Sequence, residues 1–385
     1  MSVLCQLQAL QSFGRSTYNT YNFSNINLTG YNLNGYSLSG LNFSYSNFSS
    51  ANLYGTNFSN TYLYGANFYG ANLRSAYLSG ANFSGAYLAN SYLTGASFSG
   101  AYLANSYLSG ASFSGAYLSG AYLSGASFSG AYLSGAYLSG ANFYGANLRS
   151  AYLSGANFSG AYLANSYLTG ANFSGSCLAG AYLSGANFTG VTLGNANLFG
   201  ANFSGVLGLT SSVLRTATSL SGINFSGDNL SGVNLSGMNL SYSNFSSTNL
   251  FGANLANDNL VGVIASQLRI GTSSGCDSLT GSAYGQVLVG CGANDTLNIT
   301  SSNHGVTLDI NDFTGSNSNS LHGYSTINGF DCGKDLIVLQ GRACEYSLSH
   351  VGHNDILCHN GTQIATINNS NLNNLNTGFT TPAAS

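Results

Sequence analysis

A five-residue periodicity constrains this chain more than any other feature of its sequence. From residue 23 to residue 203 every fifth residue is Leu or Phe, and the same spacing resumes at Leu220 and continues to Leu260. A period of five fits neither an α-helix, which repeats about every 3.6 residues, nor a continuous strand, which repeats about every two. The pattern favours a short strand followed by a corner, repeated along the chain.

A single unit shows how such a strand and corner are built. In Ala81-Asn82-Phe83-Ser84-Gly85 the first and third residues are two positions apart, so both point inward while Asn82 points outward. Ser84 and Gly85 make the corner, because Gly adopts unusual backbone angles and Ser bonds the backbone. One unit is too short to bury its own apolar pair, so we expect consecutive units to coil into a stack with a continuous core.

These units resemble the pentapeptide-repeat family, whose pattern is a small residue, Asp or Asn, Leu or Phe, and two small or polar residues. The resemblance covers about residues 21–264 and implies an all-β fold, a right-handed quadrilateral β-helix with four units per coil. The register breaks across residues 205–219, which suggest a loop with one helical turn that bulges from a corner. A kinked or separate second solenoid is the alternative.

The outward positions carry unusual chemistry. Beside Phe, which recurs every fifteen residues from Phe83 to Phe203, the outward residue is Asn or Ser; beside Leu it is usually Tyr. Between residues 16 and 214 only Arg74 and Arg149 are charged. Either the rings shield the solenoid, or this neutral surface binds copies of itself or a cell-surface polysaccharide. The candidate interaction residues are Tyr87, Tyr92, Tyr102, Tyr107, Tyr117, Tyr122, Tyr132 and Tyr137.

The C-terminal third differs in charge and pattern. Residues 270–385 hold eight acidic and two basic residues, whereas residues 1–269 hold two acidic and five basic ones. Three nonapeptides at 272–298 approach a calcium β-roll template. This stretch and its continuation to about residue 370 resemble the C-terminal region of RTX, hemolysin-type proteins exported by type I secretion. The resemblance implies Ca²⁺ ligation by Asp277 and Asp295, although Gln286 and Cys291 depart from the template.

The expected organisation is a cap, two β-helical stretches around an insert, and a β-rich C-terminal module. The boundaries are 1–20 for the N-terminal cap, 21–205 for the β-helix, 206–217 for the inserted loop and short helix, 218–264 for the continued β-helix, 270–299 for the degenerate nonapeptide β-roll and 300–385 for the secretion-like module.

Cysteine and histidine raise two further possibilities. Cys177 stands at an outward position where neighbouring units have Tyr, so we expect it to be exposed and able to crosslink two copies. Five cysteines lie after residue 270, and in an oxidising compartment they favour disulfides: Cys276, Cys291, Cys332, Cys344 and Cys358. His350, His353, Cys358 and His359 are either a transition-metal site or ordinary surface residues, because their spacing matches no strong motif.

These features favour a non-catalytic protein. The repeat has no carboxylate pair and no histidine precedes His304, so no nucleophile–base arrangement is recognisable. No apolar run is long enough to span a membrane, and the N-terminus lacks the features of a cleaved signal peptide. We expect a secreted, self-associating structural protein of the cell surface or extracellular matrix; a cytoplasmic location is the alternative.

Two other functions compete with this expectation. A calcium-dependent adhesin that binds carbohydrate through tyrosine rings is the main alternative. Some pentapeptide-repeat proteins mimic a DNA duplex and act on gyrase, but such mimicry needs an acidic solenoid, and residues 1–269 carry net positive charge. Seven scattered basic residues also disfavour nucleic-acid binding.

Overall fold

The computed structural model divides the chain into two compact units. It describes residues 22–251, 253, 258–259, 263–264, 269–271, 278–281, 287–289, 296–299, 307–310, 325–328, 336–339, 346–359, 362–368 and 379–380. The first unit contains the repeat as far as Ala201, with residues 206–208 and 216–218; the second contains the remainder of the repeat and the C-terminal strands. In the described part, no helix is both long and apolar enough to cross a membrane.

The first unit is a four-sided β-helix. Outward residues pair in parallel with the residue twenty positions later, as Asn82 does with Tyr102 and Tyr102 with Tyr122. One coil therefore contains four five-residue units, as expected. Each coil is bonded to the next through backbone amides: Phe83 N donates to Tyr102 O at 2.6 Å, and Tyr102 N donates to Ala81 O at 2.9 Å.

The core of the first unit consists of the two inward residues of every unit. Ala at the first position is buried to 0–1% exposure, and so are Leu and Phe at the third position except Phe23, which is 5% exposed. The fifteen-residue spacing of Phe brings its rings together in the core, because fifteen residues advance three sides of a four-sided coil. Ring centroids of Phe98, Phe113 and Phe128 are 5.6 Å apart from one to the next. Serine at the first position is satisfied by its own turn, as Ser106 Oγ donates to Leu103 O at 2.7 Å.

The corners require a left-handed residue at the fifth position of each unit. Gly85 has φ of +66° there, and where the sequence has Asn instead, as at Asn90, φ is +57°. Glycine has no Cβ to clash in this region, and Asn is the side chain that tolerates it best. The polar and glycine-rich corners follow directly from this backbone requirement.

The second unit begins with a coil that contains the insert. Asn202 pairs with Asn224, a separation of 22 residues in place of 20. The added length is taken up by a single helical turn, α1 (Ser211–Leu214), whose N-cap Thr210 accepts a hydrogen bond from Val213 N through its side chain. Ser211 Oγ accepts from Asn234 N at 2.7 Å, so α1 is held against the next coil.

The described C-terminal strands form three sheets. Their bounds are β1 Asn249–Phe251, β2 Arg269–Gly271, β3 Ser278–Gly281, β4 Val287–Val289, β5 Thr296–Ile299, β6 Thr307–Ile310, β7 Ser325–Asn328, β8 Leu336–Leu339, β9 Tyr346–Val351, β10 Asn354–His359, β11 Thr362–Asn368 and β12 Phe379–Thr380. β1 and β2 pair in parallel in a two-stranded sheet. From β3 to β8 the strands alternate between two further sheets, one of order β3-β5-β7-β11-β10-β9 and the other of order β12-β8-β6-β4.

Strand register confirms the β-roll expected for the start of this module. Ser278 pairs with Thr296 and Val287 with Thr307, so every second strand returns to the same sheet. The module then closes with an antiparallel hairpin of β9 and β10 around Gly352, which has φ of +68°. The predicted fold class, a quadrilateral β-helix followed by a β-roll and β-rich module, is confirmed.

Candidate interaction surface

Tyrosine rings form stacked pairs on the outside of the first unit. The rings of Tyr102 and Tyr122 are parallel to within 4°, with centroids 4.8 Å apart. The same geometry recurs in the pairs Tyr87–Tyr107, Tyr117–Tyr137, Tyr132–Tyr152 and Tyr162–Tyr182. This spacing equals the distance between neighbouring strands, so the backbone ladder sets it.

The eight candidate tyrosines all lie on this surface, each with 46–50% of its area exposed. In a stacked pair each ring covers one face of its partner, so the other face, the ring edge and the hydroxyl group of each tyrosine are not covered by the second ring. Because the sequence repeats in threes and the coil in fours, each tyrosine pair is followed on its side by Asn, Ser or another small residue. The surface is therefore a set of short tyrosine pairs separated by small polar residues.

Asparagine and tyrosine at the outward position differ in how they interact with the neighbouring corner. Asn82 Oδ1 accepts from Ser84 N at 3.0 Å, which satisfies a backbone donor of the corner. Asn157 does the same for Ser159, also at 3.0 Å. A tyrosine side chain cannot reach its own corner in this way. A tyrosine at this position therefore lacks the side-chain hydrogen bond to the corner and presents an aromatic ring to the outside.

The two arginines of the repeat occupy identical surroundings, which we call the Arg stations. Residues 66–96 recur unchanged as residues 141–171. The guanidinium carbon of Arg74 lies 4.7 Å from the ring centroid of Tyr92, and that of Arg149 lies 4.6 Å from that of Tyr167. The stations consist of Tyr69, Arg74, Asn90 and Tyr92, and of Tyr144, Arg149, Asn165 and Tyr167. The shared setting of the two arginines was not predicted, although the exact repeat of residues 66–96 at 141–171 signals it.

A hydrogen bond completes each station at the neighbouring corner. Asn90 Nδ2 donates to Tyr69 Oη at 3.3 Å, and Asn165 Nδ2 donates to Tyr144 Oη at 3.3 Å. Both arginines are exposed. In residues 22–251, neither has an acidic partner.

Cys177 is less accessible than expected. It occupies the outward position and pairs with Asn157 and Asn197 in the ladder, but it is only partly exposed. Its sulfur lies 3.2 Å from Ser159 Oγ and 3.9 Å from Asn197 Nδ2. A thiol is much shorter than a phenol, so it stays between its ladder neighbours where tyrosine projects past them. The expectation of an exposed thiol is wrong, and a crosslink through Cys177 stays only a prediction.

A half-buried carboxyl group in the second unit was not predicted from the sequence. Asp258 stands at the inward first position of its unit, where Ala is usual, and its Oδ1 accepts from Met238 N at 2.7 Å. Burial raises the pKa of the Asp258 carboxyl to about 7, against the opposing effects of amide hydrogen bonds from Met238 and Gly237 and the charge of Arg215. Arg215 Nη1 itself donates to Ser236 O at 3.0 Å. Its position in the five-residue period was the signal for burial.

Only some of the proposed metal ligands of the C-terminal module lie among the described residues. Asp277 and Asp295 lie outside the described residues, as do the 1–20 cap and every cysteine except Cys177 and Cys358, which are free thiols. In the hairpin, His350 Nδ1 is hydrogen-bonded to the buried Asp355 Oδ1 across β9 and β10. Among the residues that the structure describes, no group of three or more His, Cys, Asp or Glu could hold a metal ion.

A family model described as pentapeptide repeats matches the chain in eight copies. The matches cover residues 22–60, 81–120, 96–135, 126–165, 166–205 and 218–263, which together exceed half of the chain. No curated protein matches the chain.

Solved structures resemble the chain at low overall similarity. HetL, a pentapeptide repeat protein involved in heterocyst differentiation regulation in Nostoc sp. Strain PCC 7120, is 29% identical over 69% of this chain and 97% of its own, with a TM-score of 0.36. QnrB1, a plasmid-mediated fluoroquinolone resistance protein, is 22% identical over 53% of this chain and 91% of its own, with a TM-score of 0.28. A pentapeptide repeat protein of the Arabidopsis thaliana thylakoid lumen is 30% identical over 28% of this chain and 72% of its own, with a TM-score of 0.22.

Proposed function

Because the chain belongs to the pentapeptide-repeat family, whose five-residue units supply a scaffold, we propose that it is a self-associating structural protein whose copies meet through the tyrosine pairs of the first unit. The observation that carries this proposal is the exposure of the eight candidate tyrosines, 46–50% each and all but Tyr92 in stacked pairs, on a surface with two charged residues between 16 and 214. Tyrosine is enriched at protein interfaces, and a surface with only two charged residues repels its own copies little.

The stacking leaves each paired ring at most one face for a sugar, which makes carbohydrate stacking the weaker alternative. A sugar that stacks on an aromatic residue needs an open ring face. In pairs such as Tyr102–Tyr122 one face of each ring is covered by the partner at 4.8 Å. The outward edges and hydroxyl groups instead suit packing against the same surface of another copy, with hydrogen bonds between phenols and the intervening Asn and Ser.

Sedimentation velocity of the purified full chain tests this proposal. We expect concentration-dependent assemblies for the unmodified protein. Replacing Tyr87, Tyr107, Tyr102 and Tyr122 with Asn removes two stacked pairs and should shift the distribution toward monomer. Asn is the matched replacement because it already occupies the same ladder position elsewhere, as at Asn82. The Tyr→Phe variant at these four positions separates the contribution of the ring from that of the hydroxyl. An unmodified chain that stays monomeric at high concentration would refute self-association.

Calcium binding by the C-terminal module is a second proposal, supported by the alternation of β3 to β8 between two parallel sheets. Asp277 and Asp295 each precede a strand in sequence, and those strands, β3 and β5, pair in register. Calcium prefers several oxygen ligands including carboxylates, so the two residues fit the chemistry of this ion. We expect Ca²⁺ to raise the melting temperature of the full chain, and D277N/D295N to abolish that shift. An unchanged melting temperature in Ca²⁺ would contradict this proposal.

Export to the cell surface belongs to the same proposal, since self-association and calcium binding both suit an extracellular matrix protein. Cell fractionation with an antibody to the chain tests it, and recovery from the cytoplasm alone would contradict it. Gyrase-directed DNA mimicry gains no support, because residues 1–227 contain neither Asp nor Glu to imitate phosphate charge.

A further inference from the structure

The two Arg stations lie at the two ends of one side of the β-helix. The ladder of that side runs through Asn72, Tyr92, Ser112, Tyr132 and Tyr152. Arg74 lies in the corner that follows Asn72, and Arg149 lies in the corner that precedes Tyr152. Fifteen five-residue units separate the stations, so they are about 18 Å apart along the coil axis at about 4.8 Å per coil.

In each station the guanidinium group is positioned by its contact with a tyrosine ring. The group lies over a tyrosine ring at 4.6–4.7 Å, and that ring is fixed by the backbone ladder. A guanidinium group that rests on a ring still presents its N–H edge to a ligand, and this edge matches a carboxylate with two parallel hydrogen bonds. The corner amide contributes to the placement, because Arg149 N donates to Asn147 Oδ1 at 3.2 Å.

The chain itself indicates where a carboxylate partner would come from. Residues 1–227 contain no Asp or Glu, so the first unit of one copy cannot supply a carboxylate to the first unit of another. The acidic residues are concentrated after residue 270, where the sequence has eight acidic residues and only two basic ones. We propose that Arg74 and Arg149 bind carboxylates of the acidic region 270–385 of a second copy of this chain. The inference rests on the proposed self-association and identifies its charged contact.

Charge-removing variants of the full chain provide the first test. R74Q/R149Q keeps nearly the length of both side chains and removes their charge and fork of donors. Since each exposed ion pair contributes modestly, we expect the dissociation constant for self-association to rise about twofold to thirtyfold. We also expect the association of the unmodified chain to weaken between low and high NaCl, and that of R74Q/R149Q to lose this salt dependence.

Carbodiimide crosslinking of R74K/R149K provides the second test and identifies the partner residues. The chain has only one lysine, Lys334, so the substituted positions become almost the only amines that a carbodiimide can join to a carboxylate. A mixture of copies with natural and heavy nitrogen isotopes separates crosslinks between copies from those within one. We expect crosslinks between copies from positions 74 and 149 to acidic residues after 270.

The outcomes separate this inference from the proposed function. If the unmodified chain does not associate, both fail. If it associates equally well after R74Q/R149Q, with no salt dependence and no crosslink between copies, only the charged contact is refuted. Binding of polygalacturonate that is lost in R74Q/R149Q, with association unchanged, would assign the stations to an anionic polysaccharide and overturn the inference.

Discussion

Two stretches of one repeat pattern, residues 22–201 and 220–264, build the same ladders with different outward residues. In the first stretch Tyr occupies most positions beside Leu. In the second stretch every outward residue from Asn224 to Asn259 is Asn, and Asn224 still pairs in parallel with Asn244, as Asn229 does with Asn249. The coil therefore forms without tyrosine. The tyrosine pairs of the first stretch are not a requirement of the fold, which is why we look to them for function.

The inward residues also differ between the two stretches, and here the second stretch is the more varied one. The first stretch uses Ala almost throughout from Ala66 to Ala201, with occasional Ser. The second uses larger and polar residues, among them Ile223, Asp228 and Asp258. Both Ile223 and Asp228 are buried to 2% exposure or less. From Ala66 onward the first stretch is thus nearly uniform inside and varied outside, whereas the second has a uniform outside and holds titratable groups at inward positions.

The largest expected effect comes from breaking the uniform core of the first stretch. Phe113 is fully buried, and its ring lies 5.6 Å from those of both Phe98 and Phe128. Phe113→Ala should lower the free energy of unfolding by about 3–5 kcal/mol, since large-to-small changes lose both burial and packing. Urea denaturation followed by circular dichroism measures the loss. The neighbouring corner variant Ser114→Ala serves as the control and should change stability by less than about 0.5 kcal/mol.

Most of this fold could be predicted from the sequence because the period of five leaves few alternatives. The spacing of Leu and Phe predicted a stack of five-residue units, the resemblance to the pentapeptide-repeat family implied four units per coil, and the charge break after residue 269 separated the C-terminal module. The exposure of Cys177 could not be obtained in this way, since it depends on side-chain length relative to ladder neighbours. The Arg–Tyr contacts join residues eighteen positions apart and become neighbours only once the coil has closed.

A smaller effect should follow from removing the half-buried carboxyl group of Asp258 in the second stretch. Burial raises the pKa of Asp258 to about 7, so the folded chain holds this proton more tightly than the unfolded chain does. The contribution of the protonated Asp258 carboxyl to folding stability is therefore complete below the ordinary pKa of Asp, and it is lost as the pH rises through about 7. Asp258→Asn should stabilise the second stretch above that pH by on the order of 1 kcal/mol, after solvent screening is allowed for.

The pH dependence of the melting temperature between about pH 5 and 8 checks this prediction. The Asp258→Asn variant keeps the local hydrogen bond, because its amide oxygen still accepts from Met238 N, which lies 2.7 Å from Asp258 Oδ1 in the unmodified chain. Asn239→Asp is the matched control, since it adds a carboxylate at an outward position of the same stretch. A pH profile of Asp258→Asn identical to that of the unmodified chain would show that Asp258 does not titrate near neutrality.

The smallest effect is expected from exchanging the outward residues themselves. Tyr102→Asn/Tyr122→Asn completes an asparagine ladder through Asn82 and Asn142, because these four positions pair consecutively. The variant loses one aromatic pair, a contribution of about 0.5–1.5 kcal/mol. It gains corner hydrogen bonds of the kind that Asn82 Oδ1 makes with Ser84 N at 3.0 Å, each contributing about 0.5–1.5 kcal/mol.

These terms offset each other, so the melting temperature should change little while self-association weakens. The reciprocal variant Asn229→Tyr/Asn249→Tyr places a tyrosine pair on the second stretch, where Asn249 Nδ2 now donates to Asn229 Oδ1 at 3.1 Å. It should also fold, and it should add a contact surface that sedimentation velocity detects. A loss of several kcal/mol in Tyr102→Asn/Tyr122→Asn would instead show that the rings stabilise the first stretch itself. The shielding interpretation would then account for the tyrosines, and the difference between the two stretches would be one of stability.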